Sequence, residues 1–171
     1  MERKYERLPT MNDLNSDQFL AFCRKFDTAM LVTKSSGDLV ARPMIIAQID
    51  DSGCFWFSAD RHSAKVEEIS NDPHVCVTMS GTIGHVSIRG TAVFVRDQDK
   101  IDVLWSEAWR VWFPKGSRDE RLILLKIDAE EGAYWSTSGV QKVQYLFSMV
   151  QSYIRGERPA VNPETHGRVV L

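Results

Sequence analysis

Between residues 15 and 26 the apolar positions fall at helical spacing. Phe19, Leu20, Phe22, Cys23 and Phe26 build one face, and Asn15 or Ser16 can cap the start. A helix with such a face has something to bury, so it is expected to plug or cover another layer. Residues 1–13 are charged and interrupted by Pro9, the pattern of a loosely attached arm. From Thr28 the period shortens to that of strands. Residues 29–33 predict a first strand, 34–38 a hairpin turn and 39–49 a second, longer strand. A turn at 50–53 leads into a third strand, 54–58. A short helix then runs from Ser63 and must stop before Pro73, because the residue ahead of a proline is driven out of the helical region.

Residues 75–79 predict a fourth strand and 85–95 a fifth. Gly90 lies inside the fifth, where a glycine often marks a bulge or a close backbone approach. The charged stretch 96–102 opens a helical segment in which Leu104, Trp105, Ala108, Trp109 and Trp112 share one face. Core packing or a subunit interface is the expectation for Trp105 and Trp109. Residues 113–116 end that segment, and 122–135 form a long sixth strand. Leu122, Leu124 and Lys126 lie on one side of it and Ile123, Leu125 and Ile127 on the other, so both faces should be covered. A terminal helix is predicted over 140–154 from Val143, Leu146, Phe147, Val150 and Ile154, followed by a polar, turn-rich tail up to the last three residues.

Six strands in meander order with few helices between them predict a mainly β chain, a small antiparallel barrel with flanking helices and a C-terminal helix. At 171 residues it is expected to form one domain over 1–171, long enough to bury a core without disulfides. No Gly-x-Gly-x-x-Gly follows the first strand and helices do not alternate with strands, which excludes a dinucleotide-binding doubly wound sheet; a P-loop is absent too.

Charge and composition narrow the function classes. A formal net charge of −2 and a pI near 6.1, with no long block of like charge, argue against nucleic acid as a partner. No apolar run reaches spanning length and the N-terminus leads into no apolar signal core, so no membrane role and a cytoplasmic location are expected. Cys23, Cys54 and Cys76 are odd in number and widely spaced, which points to reduced thiols rather than a disulfide framework or a zinc site. His166 has no partner at metal-binding spacing, so no metal ligand is assigned.

The stretch with the most chemistry is 54–76. The aromatic run Phe55, Trp56, Phe57 feeds through a polar turn into Ser63, Ala64 and Lys65, a strand, turn and helix start. Ser63 is suited to the N-cap position, and Glu67 and Glu68 favour the positive end of the helix. The first helical turn offers backbone N–H groups, hydroxyls and the cations Arg61 and Lys65, which together suit a dianionic phosphate.

In order and spacing, a set of short motifs resembles the FMN-binding split β-barrels of the pyridoxamine 5′-phosphate oxidase-like superfamily, and within it the general stress protein 26 group. The carriers are Ala41-Arg42-Pro43-Met44, Phe55-Trp56-Phe57-Ser58 leading to Ser63-Ala64-Lys65-Val66, Asp72-Pro73-His74-Val75 and Ile88-Arg89-Gly90. Further along come Trp112-Phe113-Pro114-Lys115-Gly116, Ala133-Tyr134-Trp135, and Gly156-Glu157-Arg158-Pro159 with His166-Gly167-Arg168-Val169. The resemblance implies a six-stranded antiparallel split barrel that binds FMN, with FAD as the alternative, and works as a homodimer. Arg42, Pro43 and Met44 would edge the isoalloxazine ring, Phe57 and Ser58 would lie beside the ring and ribityl chain, and Ser63 and Lys65 would hold the phosphate. His85 and Trp112 would reach the flavin from a second subunit. The implied activity is an NAD(P)H-linked flavin oxidoreductase; the alternative is a non-catalytic flavin-binding stress protein. No catalytic side chain is assigned. The oxidases' C-terminal Arg-x-His signature is missing, Trp135-Ser136-Thr137-Ser138-Gly139 standing in that region, which argues against pyridoxamine phosphate oxidation. Nor is there a histidine-rich pocket that would favour haem.

Overall fold

A computed structural model describes residues 14–136 and 166–171. Helix α1 (Ser16–Cys23) starts at Asn15, whose side chain accepts from the Gln18 amide at 2.9 Å while the Asn15 amide donates to the Gln18 side chain, a reciprocal capping box. The strands follow as β1 (Thr28–Ser35), β2 (Asp38–Ile49) and β3 (Cys54–Asp60). Helix α2 (Ala64–Asn71) leads to β4 (His74–Gly81) and β5 (Gly84–Val95). After α3 (Gln98–Leu104) and two 3₁₀ turns, Glu107–Val111 and Gly116–Arg118, come β6 (Leu122–Ser136) and β7 (His166–Val170).

The strands pair antiparallel in the order β3-β2-β1-β4-β5-β6, and β3 returns to β6 by pairing Cys54–Asp60 with Leu122–Asp128. That last ladder closes a six-stranded antiparallel barrel, as expected. The strand order departs from the expected meander: β4 pairs with β1 rather than with β3, since α2 separates β3 from β4 and no tight turn joins them. Beyond it, β7 pairs with the second half of β6, Glu131–Trp135. This seventh strand corrects the expectation of a turn-rich tail. Its sequence, His-Gly-Arg-Val-Val, has little strand alternation of its own, and its order comes from the β6 edge it docks on. Strand β6 changes partner at a bulge: Arg89 faces Glu131 and Gly90 faces Ala129, leaving Glu130 extra, its carboxylate accepting from the Thr91 hydroxyl at 2.6 Å. The irregularity expected at Gly90 is therefore present.

Inside the barrel Leu31, Phe55, Phe57, Val77, Ile88, Leu125 and Ile127 are fully buried. Helix α1 plugs this core through Phe19, Leu20 and Cys23. The Phe19 ring lies directly on the backbone of Gly132, where any Cβ would meet ring atoms at 3.0 Å or less, so glycine is what lets the plug seat.

A second core lies outside the barrel wall. Cys54, Trp56, Leu122 and Leu124 project from the outer faces of β3 and β6 and are covered by Ile101, Trp109 and Phe113. Both faces of β6 are thus buried, as its two apolar rows required. The covering segment is not the single helix expected over its length. Trp105 takes an extended conformation (φ −54°, ψ 131°), and the Ser106 hydroxyl accepts from the Ala108 amide to begin a separate 3₁₀ turn. That break turns Ala108 out to solvent and leaves Trp112 55 % exposed, while Trp109 is 2 % exposed and packs edge-on to Trp105. The helix expected over 140–154 and the arm over 1–13 lie outside the described residues.

Candidate functional site

The junction of β3 with α2 is built by Asp60. Its backbone carbonyl accepts from the Ser63 amide (3.0 Å) and hydroxyl (2.6 Å), and its carboxylate accepts from the His62 amide (2.9 Å) and pairs with Arg121. The Ser63 hydroxyl, committed to that carbonyl, also accepts from Lys65 Nζ at 3.1 Å. It does not cap the helix with its side chain, contrary to the expectation for an N-cap serine. The turn geometry directs the hydroxyl backwards along the chain, so it supplies no acceptor to the first amides of α2.

One turn further along α2, Glu68 reaches across to the barrel. Its carboxylate accepts from the Thr33 hydroxyl of β1 at 2.5 Å and pairs with Arg42 of β2 at 2.7 Å, and Arg42 also donates to Thr33 at 2.7 Å. The pair is well sheltered, the Glu68 side chain being 11 % and the Arg42 side chain 20 % exposed. Lys65 and Glu68 are three residues apart on one helix and so are surface neighbours. Arg42, Thr33, Ser63, Lys65 and Glu68 thereby form one contiguous polar cluster at the start of α2, whose Ile69 and Val66 anchor the helix to the main core.

The electrostatics of the cluster are those of crowded cations. Burial pushes the Lys65 ammonium below its ordinary value and the neighbouring Arg42 guanidinium pushes it further, against the pull of Asp60 and Glu68. Burial disfavours the Glu68 carboxylate, but hydrogen bonds from Thr33 and Arg42 and the charge of Lys65 outweigh it and hold the group below the usual range.

The remaining sequence-predicted residues are spread over other faces. Met44 shares the inward side of β2 with Arg42 and packs against the main core, whereas Pro43 is exposed on the outward side opposite Met30. Phe57 is fully buried inside the barrel; Ser58 is half-buried on the opposite face of β3. His85 is exposed at the start of β5, its Nδ1 3.1 Å from the Ser80 hydroxyl. Helix α2 joins the barrel at the other end of β5, where Ala92 donates to the Pro73 carbonyl, and seven residues of strand separate the two by roughly 20 Å. Trp112 ends the 3₁₀ turn on the outer cluster. Within one subunit, Arg42, Ser63 and Lys65 come together; His85 does not join them.

Sequence reasoning missed Thr33, Glu68 and Asp60. The sequence marks Glu68 only as a charge favourable to the helix end; its spacing of three from Lys65 is the one local sign that it belongs with the cluster. Nothing local marks Thr33, which lies 35 residues from its partner. The outward face of β1, β2, β5 and β6 also carries exposed Met30, Ile45 and Trp135 beside Pro43 and His85.

A closed six-stranded antiparallel barrel, plugged by one helix and carrying a polar cluster at a strand-to-helix turn, defines the split-barrel class. The family model described as pyridoxamine 5′-phosphate oxidase like matches residues 15–160, and the chain belongs to that family. Among solved structures it is similar to a putative general stress protein 26 from Jannaschia sp., at 23 % identity over 90 % of this chain and 96 % of that one, with a TM-score of 0.67. It is also similar to the general stress FMN/FAD binding protein of Xanthomonas citri, at 26 % identity over 72 % of this chain and 89 % of that one, with a TM-score of 0.63. A comparison with curated proteins returns no match. Family and neighbours together suggest a flavin-binding fold. Among the described residues no helix is long and apolar enough to cross a membrane, and no group of three or more His, Cys, Asp or Glu is placed to hold a metal ion.

Proposed function

We propose that the chain binds a flavin through its phosphate, FMN first and FAD as the alternative, at the start of α2. The observation that carries this reading is the cluster itself: a half-buried ammonium and a sheltered guanidinium set beside a serine hydroxyl and a helix start that the serine does not cap. Glu68 neutralises one of the two cations, and the positive charge left over, partly out of water beside free helix-start amides, favours a further anion. The donor set fits a phosphate monoester, which carries close to two negative charges at neutral pH and three strong acceptor oxygens. Support comes also from the likeness to the general stress FMN/FAD binding protein of Xanthomonas citri.

Lys65 and Ser63 hold the phosphate, Arg42 braces the socket from β2, and Met44 and Ser58 border the path along the barrel wall. Phe57 is committed to the core by its side chain and to β2 and β6 by its backbone, so it stands behind the site as part of the wall. His85 and Trp112 come from a second subunit, docked on the outward face where Met30, Pro43, Ile45 and Trp135 expose apolar surface. When bound, the flavin ring supplies the hydride acceptor for an NAD(P)H-linked oxidoreductase, and the protein's part is to orient and enclose it. A second reading, a non-catalytic flavin-binding stress protein, is favoured by the mutual pairing of Arg42 and Glu68, which commits both groups and leaves neither as an acid or base.

The test is the affinity for FMN and for riboflavin, which lacks the phosphate, followed by quenching of flavin fluorescence. Lys65→Ala is expected to weaken FMN by about 10- to 100-fold, the scale of a charge-assisted hydrogen bond, with riboflavin little changed. Equal affinity of the native protein for the two flavins would remove the phosphate socket. Anaerobic mixing of the loaded protein with NADH or NADPH decides between the two readings: bleaching of the flavin band supports the reductase, and persistence of colour with both donors supports the binding protein.

A further inference from the structure

The phosphate socket contains a carboxylate, which is the wrong sign for an anion site. Glu68 takes the Arg42 guanidinium at 2.7 Å, holds the Thr33 hydroxyl at 2.5 Å and stands one helical turn from Lys65. Its charge persists through neutral pH, since Thr33 and Arg42 keep the carboxyl below its usual range. The sum over Arg42, Lys65 and Glu68 is one positive charge, against nearly two negative charges on a phosphate monoester. A helix that only needed anchoring to β1 and β2 has cheaper means available, because Ile69 and Val66 already seat it on the core.

We infer that Glu68 is a specificity-determining residue of this site: an internal counter-anion that competes with the ligand phosphate for Arg42 and so sets how strongly phosphorylated flavin is preferred over unphosphorylated flavin. The inference rests on the phosphate reading above. When a phosphate arrives, Arg42 redistributes its hydrogen bonds between two anions, and the repulsion between phosphate and Glu68 lowers the affinity. Riboflavin meets neither effect. Thr33 holds the competitor in place by donating to the same oxygen that Arg42 engages.

Glu68→Gln is the informative change, because the amide oxygen still accepts from Thr33 and Arg42 while the charge is gone. It is expected to tighten FMN by about tenfold or more, the effect of deleting one charge near a dianion in a partly screened site, and to leave riboflavin within about twofold. Glu68→Ala, which loses the acceptor as well, is expected to tighten FMN less than Glu68→Gln. A Glu68→Gln protein that binds FMN no more tightly than the native one, or that shifts both flavins equally, overturns the inference and marks Glu68 as a strut. The native protein provides a readout that needs no variant: on titration with FMN, the ¹⁵N signals of the Arg42 guanidinium should shift, whereas riboflavin should leave them in place. Unmoved Arg42 signals at saturating FMN also overturn it. Failure of the underlying reading looks different, since the native protein would then bind FMN and riboflavin alike.

Discussion

Gly90 offers the sharpest test of how the barrel is held. It sits on β5 where β6 carries its bulge, and a Cβ built there would stand less than 3 Å from the Asp128 carbonyl oxygen, 3.1 Å from the Asp128 carbonyl carbon and 3.2 Å from the Ala129 Cα. All three are backbone atoms in a strand paired on both edges. Asp128 is the last β6 residue paired with β3, and Glu131 the first paired with β7. For alanine to fit, β6 must retreat by about 1 Å at the point where it changes partner, which strains ladders on both sides. Overpacking of this kind costs roughly 1–3 kcal/mol, and backbone that cannot rotate away puts Gly90→Ala at the upper end. About 3 kcal/mol corresponds to a fall of about 6–12 °C in Tm for a chain of this size. The assay is thermal and urea unfolding by circular dichroism, with Gly53→Ala as the control. Gly53 has φ +83° and open space around the added carbon, so its cost is the left-handed backbone penalty alone, about 1 kcal/mol. If Gly90→Ala melts within 2 °C of the native protein, or no lower than Gly53→Ala, the close approach does not constrain the bulge and the reasoning fails.

Two further outcomes follow from the cores and the turns. Trp109→Ala opens the outer cluster and should cost about 3–5 kcal/mol, while Val111→Ala, at 79 % exposure, should stay within about 0.5 kcal/mol; equal losses in chemical denaturation would contradict the burial of Trp109 in that core. Burial works against the Asp50 charge, but donors from Ser52, the Trp56 indole and the Cys54 amide outweigh it and bring its pKa from 3.8 to about 2. A carboxyl lowered on folding stabilises fully above its unfolded value, and that contribution is lost as pH falls from about 4 to about 2. Asp50→Asn should therefore be less stable than the native chain at pH 7 and show a shallower loss across that window, read from urea midpoints; parallel pH profiles would refute it.

Much of the barrel was legible from local pattern because burial repeats at the period of each element. The two apolar rows of β6 announced that both its faces were covered, while the tryptophan-rich segment at 104–112 was open between core packing and a subunit interface until the fold set Trp109 on the outer side of β3 and β6. What broke that segment into a helix and a 3₁₀ turn was Ser106, a capping residue whose effect depends on where Trp109 and Phe113 must land. The site divides the same way. Ser63 and Lys65 lie two residues apart, so their meeting is dictated by the turn that Asp60 closes, and the chain alone sufficed to place them.

Glu68 illustrates the opposite case. Its partners are on β1 and β2, and whether a carboxylate at that helical position meets a hydroxyl and a guanidinium depends on strand register and on the angle at which α2 docks. The same holds for the closing ladder between β3 and β6 and for β7, whose five residues become a strand only against an edge supplied from elsewhere in the chain. Periodicity and turn chemistry act between neighbours in sequence, and they determined most of the elements and the meeting of Ser63 with Lys65. Pairings between distant segments carry no local signature, so the closure of the barrel and the contact of Glu68 with Thr33 and Arg42 were decided only when the chain folded.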